Sequence, residues 1–167
     1  YYNNSVESVK DLIRPDDENI VYTFHFYEPL LFTHQGAPWI ATMDTNFRCK
    51  FDMTYGEYDK LSQKLLCQAH TSFSDLNPNE VINENYFEKL LMEAIKVAEE
   101  RNVALFCGEF GVIDRADGED AYKWYSLIHK TFNKYNIGRA AWSYKKMDFG
   151  ISDDWISPVR DELMKLL

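Results

Sequence analysis

Three apolar runs rich in aromatic and β-branched residues alternate with long amphipathic stretches, and this alternation limits the chain to a narrow set of folds. Residues 19–27 (NIVYTFHFY), 103–110 (VALFCGEF) and 138–143 (GRAAWS) have the composition of strands. The run VALFCGEF is almost continuously apolar, the pattern of a strand covered on both faces. Between the second and third runs, residues 120–135 repeat Tyr122, Trp124, Tyr125, Ile128 and Phe132 on one helical face. Before the second run, residues 84–101 repeat Phe87, Leu90, Leu91, Ala94, Ile95 and Ala98 in the same way, with Asn102 as a stop. Strand, helix, strand, helix, strand is the signature of parallel strands joined by right-handed crossovers, so an α/β fold with parallel strands is expected.

The flanking elements are weaker. A short helix is expected over 5–13, and a closing helix over 157–167 with Pro158 in its first turn. Residues 28–81 form a long stretch with little pattern, containing His34, Gly36, Pro38, Trp39 and Gly56, and a short helix over 58–68. Connections of that length are unusual and are often binding loops. No internal repeat, linker or low-complexity segment divides residues 1–167, which predicts one domain.

Charge excludes some partners. Eighteen basic against 27 acidic residues give a net charge of −9, which argues against nucleic acid and against an anionic membrane surface. No apolar run is long enough to span a bilayer. Cys49, Cys67 and Cys107 do not make a disulfide framework, although one Cys49–Cys67 bridge is conceivable. The histidines His25, His34 and His70 and the cysteines show no ligand spacing, so neither metal nor cofactor is expected. Aromatics reach 16% of the chain. Tyr and Trp on a surface beside acids suit a neutral, hydroxyl-rich ligand with apolar faces, such as a sugar.

Candidate functional residues sit where parallel α/β folds bind ligands, beyond the carboxyl ends of the strands. The first strand delivers His25 and Tyr27, the second Glu109 within Gly108-Glu109-Phe110-Gly111, and the third Trp142. A carboxylate that closes an apolar strand needs partners, and core packing does not demand polar or stacking residues at three successive strand ends.

The segments His25-Phe26-Tyr27-Glu28-Pro29, Gly108-Glu109-Phe110-Gly111 and Ala140-Ala141-Trp142-Ser143-Tyr144 resemble the last three strand ends of glycoside hydrolase family 5, mostly cellulases. The stretches HFYEPLLFTHQGAPW and WSYKKMDFGI are similar to bacterial endoglucanase-type members. The resemblance implies the C-terminal half of a (β/α)8 barrel, strands six to eight with their helices. It implies a retaining endo-β-1,4-glucanase-like enzyme acting on cellulose or a related β-glucan. Glu109 would be the nucleophile, His25 and Tyr27 would line the site beside it, and Trp142, with Trp39 from the long loop, would stack on sugar rings. It further implies a secreted, extracellular protein. The family's acid/base is a glutamate in an Asn-Glu-Pro motif on the fourth strand, and this chain has none; Asn79-Glu80 and Asn83-Glu84 fall just before a helix, where Glu84 suits capping. A complete barrel also takes about 250 residues. The fragment alone is therefore expected to be inactive or weakly active, and to pair with a second copy or with a missing N-terminal half-barrel. A noncatalytic carbohydrate-binding module and an α/β interaction domain are the alternatives.

Overall fold

The computed structural model describes residues 4–66, 73 and 75–167. Three strands, β1 (Val21–Phe26), β2 (Ala104–Phe110) and β3 (Gly138–Ala141), form one sheet in chain order, every neighbour parallel. The short helices α1 (Leu30–Thr33) and α2 (Tyr55–Leu65) lie within the long segment after β1, α3 (Glu84–Arg101) precedes β2, α4 (Gly118–Lys134) joins β2 to β3, and α5 (Arg160–Leu163) comes last. This is half of a parallel barrel wall with its outer helices.

One face of the sheet is covered. Tyr22, Phe24, Phe26, Leu105, Cys107 and Phe110 are buried against Phe87, Leu91, Trp124, Ile128 and Phe132 of α3 and α4. Phe110 contacts Phe132 at 5.4 Å and Trp124 at 6.2 Å between ring centroids. Burying each such side chain is worth roughly 1.5–3 kcal/mol. The other face is open among the described residues: Val21, Thr23, Ala104 and Ala140 are exposed, in alternation with buried or half-buried positions. Within the described residues β2 is therefore covered on one face only, as expected for a strand of a half-barrel.

Helix ends are set locally. Asn83 accepts the Asn85 N–H at the start of α3, and Asn102 ends it in the left-handed region at φ 51°. Asp117 caps α4, and Thr54 with Glu57 forms a capping box on α2. Two expected helices take the 3-10 form in whole or in part. Val6–Asp11 is a 3-10 helix, and the closing segment is a 3-10 helix over Asp154–Val159 that runs into α5. Short pieces without a continuous apolar face favour the tighter form. The helix expected over 58–68 starts earlier, at the Thr54 cap; Cys67 and Gln68 lie outside the described residues, as does His70. Cys49 and Cys107 are free thiols.

The long segment is anchored to the barrel wall by a buried carboxylate. Asp120 on α4, 3% exposed, accepts the Phe51 N–H at 3.2 Å and Lys123 Nζ at 2.7 Å.

Candidate active site

An irregularity in β2 aims the site. Phe24 pairs with Cys107 but His25 pairs with Glu109, so Gly108 is an extra residue, a bulge. Regular alternation from the buried Cys107 would turn residue 109 toward the helices. The bulge reverses the phase, bringing Glu109 to the open face beside His25 and sending Phe110 into the core.

Glu109 receives two contacts on one oxygen. The Tyr27 hydroxyl donates to Oε2 at 3.0 Å, and His25 Nδ1 lies 3.3 Å from the same atom. Burial, then the charge of Glu109, pushes the Tyr27 hydroxyl far above its ordinary pKa, so it remains a donor. The Glu109 side chain keeps 29% exposure, open to whatever enters the concavity. The three residues singled out from the first two strand ends thus converge on one carboxylate.

Trp142 follows β3 directly and donates its backbone N–H to the Phe110 carbonyl at 2.9 Å. Gly111 makes room for it, since a methyl there would run into the Trp142 carbonyl. Its side chain packs on a small cluster of Ala37, Ile113 and Phe149, which Tyr27 also touches. Trp39 is 51% exposed, its ring 6.1 Å from His34 and 6.3 Å from Phe149. Both tryptophans therefore flank the apolar ground beside Glu109.

His34 and Phe149 are participants to which no sequence pattern assigns a role. His34 meets the Tyr27 ring edge-on at 5.0 Å, and Phe149 meets it at 5.7 Å. Burial lowers the His34 pKa to about 4, so it packs as a neutral ring. Phe149 is delivered by a turn in which Lys146, Met147 and Asp148 all have φ near +60°, at 61°, 59° and 62°. Such backbone is costly for residues with a Cβ. It is held by the Asp114 N–H on the Asp148 carbonyl and by Asp153 on the Lys146 N–H, each at 2.7 Å. The motifs HFYEPLLFTHQGAPW and WSYKKMDFGI contain both residues, but their meeting across the cleft is a tertiary fact.

Glu28, next to Tyr27, lines a cavity with His25, Tyr27 and His34. Burial raises its pKa to about 7; the Leu30 N–H opposes this and Glu7 adds to it. The native state therefore holds this proton more tightly than the unfolded chain does. That contribution to stability is complete below about pH 4.5 and is lost as the pH rises to about 7. Glu28→Gln is expected to flatten this part of a plot of unfolding midpoint against pH, measured by thermal melts. A plot as steep as the parent's would contradict the assignment.

Among the described residues no group of three or more His, Cys, Asp or Glu could hold a metal ion. What the arrangement offers is a carboxylate with the Tyr27 hydroxyl and the His25 ring against one oxygen, set between aromatic walls at the carboxyl ends of parallel strands.

Known proteins are similar to this chain in sequence and in fold. The sequence profile described as Cellulase (glycosyl hydrolase family 5) matches residues 1–148. Endoglucanase C of Acetivibrio thermocellus is 39% identical over 98% of this chain and 47% of its own length. Cellodextrinase A of Ruminococcus flavefaciens is 37% identical over 94% of this chain and 37% of its own. The chain thus spans less than half the length of these relatives. Among solved structures, an endoglucanase superposes with a TM-score of 0.66 at 25% identity, over 96% of this chain and 44% of its own. Thermotoga maritima Cel5A in complex with cellobiose superposes at 0.68 with 20% identity, over 95% and 44%.

Proposed function

The chain belongs to the cellulase family, glycosyl hydrolase family 5, and from that premise we propose that it is the nucleophile-bearing half of a retaining endo-β-1,4-glucanase. The observation that carries this reading is the convergence of Tyr27 and His25 on Oε2 of Glu109 at the strand ends. Glu109 attacks the anomeric carbon of a β-glucan and forms a glycosyl ester, while the departing sugar oxygen takes a proton from a second carboxylic acid. Water then cleaves the ester, with that second residue now acting as base, and the configuration is retained. Tyr27 and His25 hold the nucleophile without removing its charge. Trp142 and Trp39 supply flat apolar faces for sugar rings, whose hydroxyls stay free for hydrogen bonds.

The second carboxyl group must stand about 5–5.5 Å from the nucleophile. We place it on an N-terminal half-barrel that covers the open sheet face. Relatives about twice as long favour that occupant over a second copy of this chain. A polymeric substrate implies work outside the cell.

The test uses a completed barrel, this chain joined to the N-terminal half of Acetivibrio thermocellus endoglucanase C. A 2-deoxy-2-fluoro cellobioside with a dinitrophenolate leaving group should stall at the glycosyl ester. Mass spectrometry is expected to find the added sugar on the peptide that carries Glu109. A folded completed barrel that binds cello-oligosaccharide, seen in tryptophan fluorescence, yet never labels would point to a noncatalytic binding module.

A further inference from the structure

His25 has two ring nitrogens, and each meets a different partner. Nδ1 lies 3.3 Å from Glu109 Oε2, and the Asn4 Nδ2 amide lies 3.4 Å from Nε2. We propose that Asn4 is a positioning residue that fixes the tautomer of His25, keeping the ring proton on Nδ1, the nitrogen that faces Glu109.

The argument is a count of donors and acceptors. An ionised carboxylate has no hydrogen to give, so the contact at Nδ1 needs a proton on that nitrogen. A neutral imidazole with its proton on Nδ1 carries a bare lone pair on Nε2. Asn4 meets that lone pair with an amide N–H. The chain therefore runs in one direction, from Asn4 to His25 to Glu109. A hydroxyl, carboxylate or carbonyl in the place of the Asn4 amide nitrogen could accept instead, and would favour a proton on Nε2. A doubly protonated ring would form an ion pair with Glu109 and blunt its attack. A donor on Nε2 opposes that second protonation.

The backbone supports a specific placement. Ser5 makes a single parallel bridge to His25, so the segment before it runs alongside the end of β1. Asn4 itself has φ 51°, a left-handed conformation that asparagine tolerates better than most residues. The other titratable groups around the ring are Glu109 and Tyr27 on the sheet side. Glu7, Glu28 and His34 join His25 and Tyr27 in lining a cavity of about 360 Å³.

The proposal rests on Glu109 being an ionised nucleophile, but its test needs no substrate. The 167-residue chain is labelled with 15N-histidine and studied by long-range 15N–1H correlation at about pH 8, where an ordinary imidazole is neutral. His25→Gln assigns the signal. The parent is expected to show His25 protonated at Nδ1 only. Asn4→Asp keeps the shape but presents only acceptors, and should move the proton to Nε2 or add one there. Asn4→Ala should leave a mixture of both tautomers. A parent ring protonated at Nε2, or a pattern that neither variant changes, overturns the proposal. Failure of the fluorosugar to label Glu109 would instead overturn the functional reading and leave the tautomer result standing.

Discussion

Replacing Glu109 with glutamine in the completed barrel is expected to abolish fluorosugar labelling and to cut glucan hydrolysis by roughly 10⁴-fold or more, the scale lost when a covalent nucleophile is removed. Glutamine keeps the size of the side chain and can still accept from the Tyr27 hydroxyl, so folding and sugar affinity should survive. Tyr27→Phe tests the support rather than the nucleophile. It removes one hydrogen bond to a charged acceptor, worth about 1.5–3 kcal/mol, and should slow labelling by about 10–100-fold if that bond tightens in the transition state. Steady-state kinetics with an aryl cellobioside separates the two. Glu109→Gln that still labels, or labelling on another carboxylate, would remove the basis for the assignment. Glu109→Ala adds a control for folding. Azide, small enough to fill the gap, should restore part of the turnover and leave a glycosyl azide of inverted configuration.

Much of this site is legible in the amino-acid sequence, for a reason that lies in the fold. Parallel α/β architecture gathers ligand contacts at strand ends, so His25, Tyr27, Glu109 and Trp142 can be read from position alone. The strands and the helices α3 and α4 follow from periodicity, because each buries one continuous face. Other features have no local signal. The bulge at Gly108 is visible only in the pairing of β2 with β1 and β3. Without it, the same run of residues would point Glu109 into the helix layer, and no pattern of hydrophobicity distinguishes the two cases. Phe149 and His34 meet Tyr27 across stretches of sequence with no regular period. Asn4 touches His25 through a segment that contributes a single bridge to the sheet. The short 3-10 helices lack the several turns of amphipathic repeat that make an α-helix readable.

The second large effect concerns the proton that the leaving group needs. A sugar alkoxide is a poor leaving group, and a positioned general acid typically contributes about 10²–10⁴-fold to its departure. On the present reading that acid stands on the N-terminal half, as the glutamate of an Asn-Glu-Pro motif. Changing it to alanine in the completed barrel should slow cello-oligosaccharide cleavage by about 10²–10⁴-fold. Ester formation from a dinitrophenyl cellobioside should hardly change, because dinitrophenolate departs without a proton. The contrast between the two substrates isolates the acid from binding and from the nucleophile, since a defect in either of those would slow both. Within this chain, Glu28 is the carboxyl group whose raised pKa, about 7, best suits proton donation. Its carboxylate is engaged locally, however, accepting the Leu30 N–H, with Glu7 nearby. Glu28→Gln should therefore preserve the ratio between the two substrates. If it collapsed that ratio while the Asn-Glu-Pro variant did not, the proton would come from β1's own end and this half of the barrel would hold both catalytic groups.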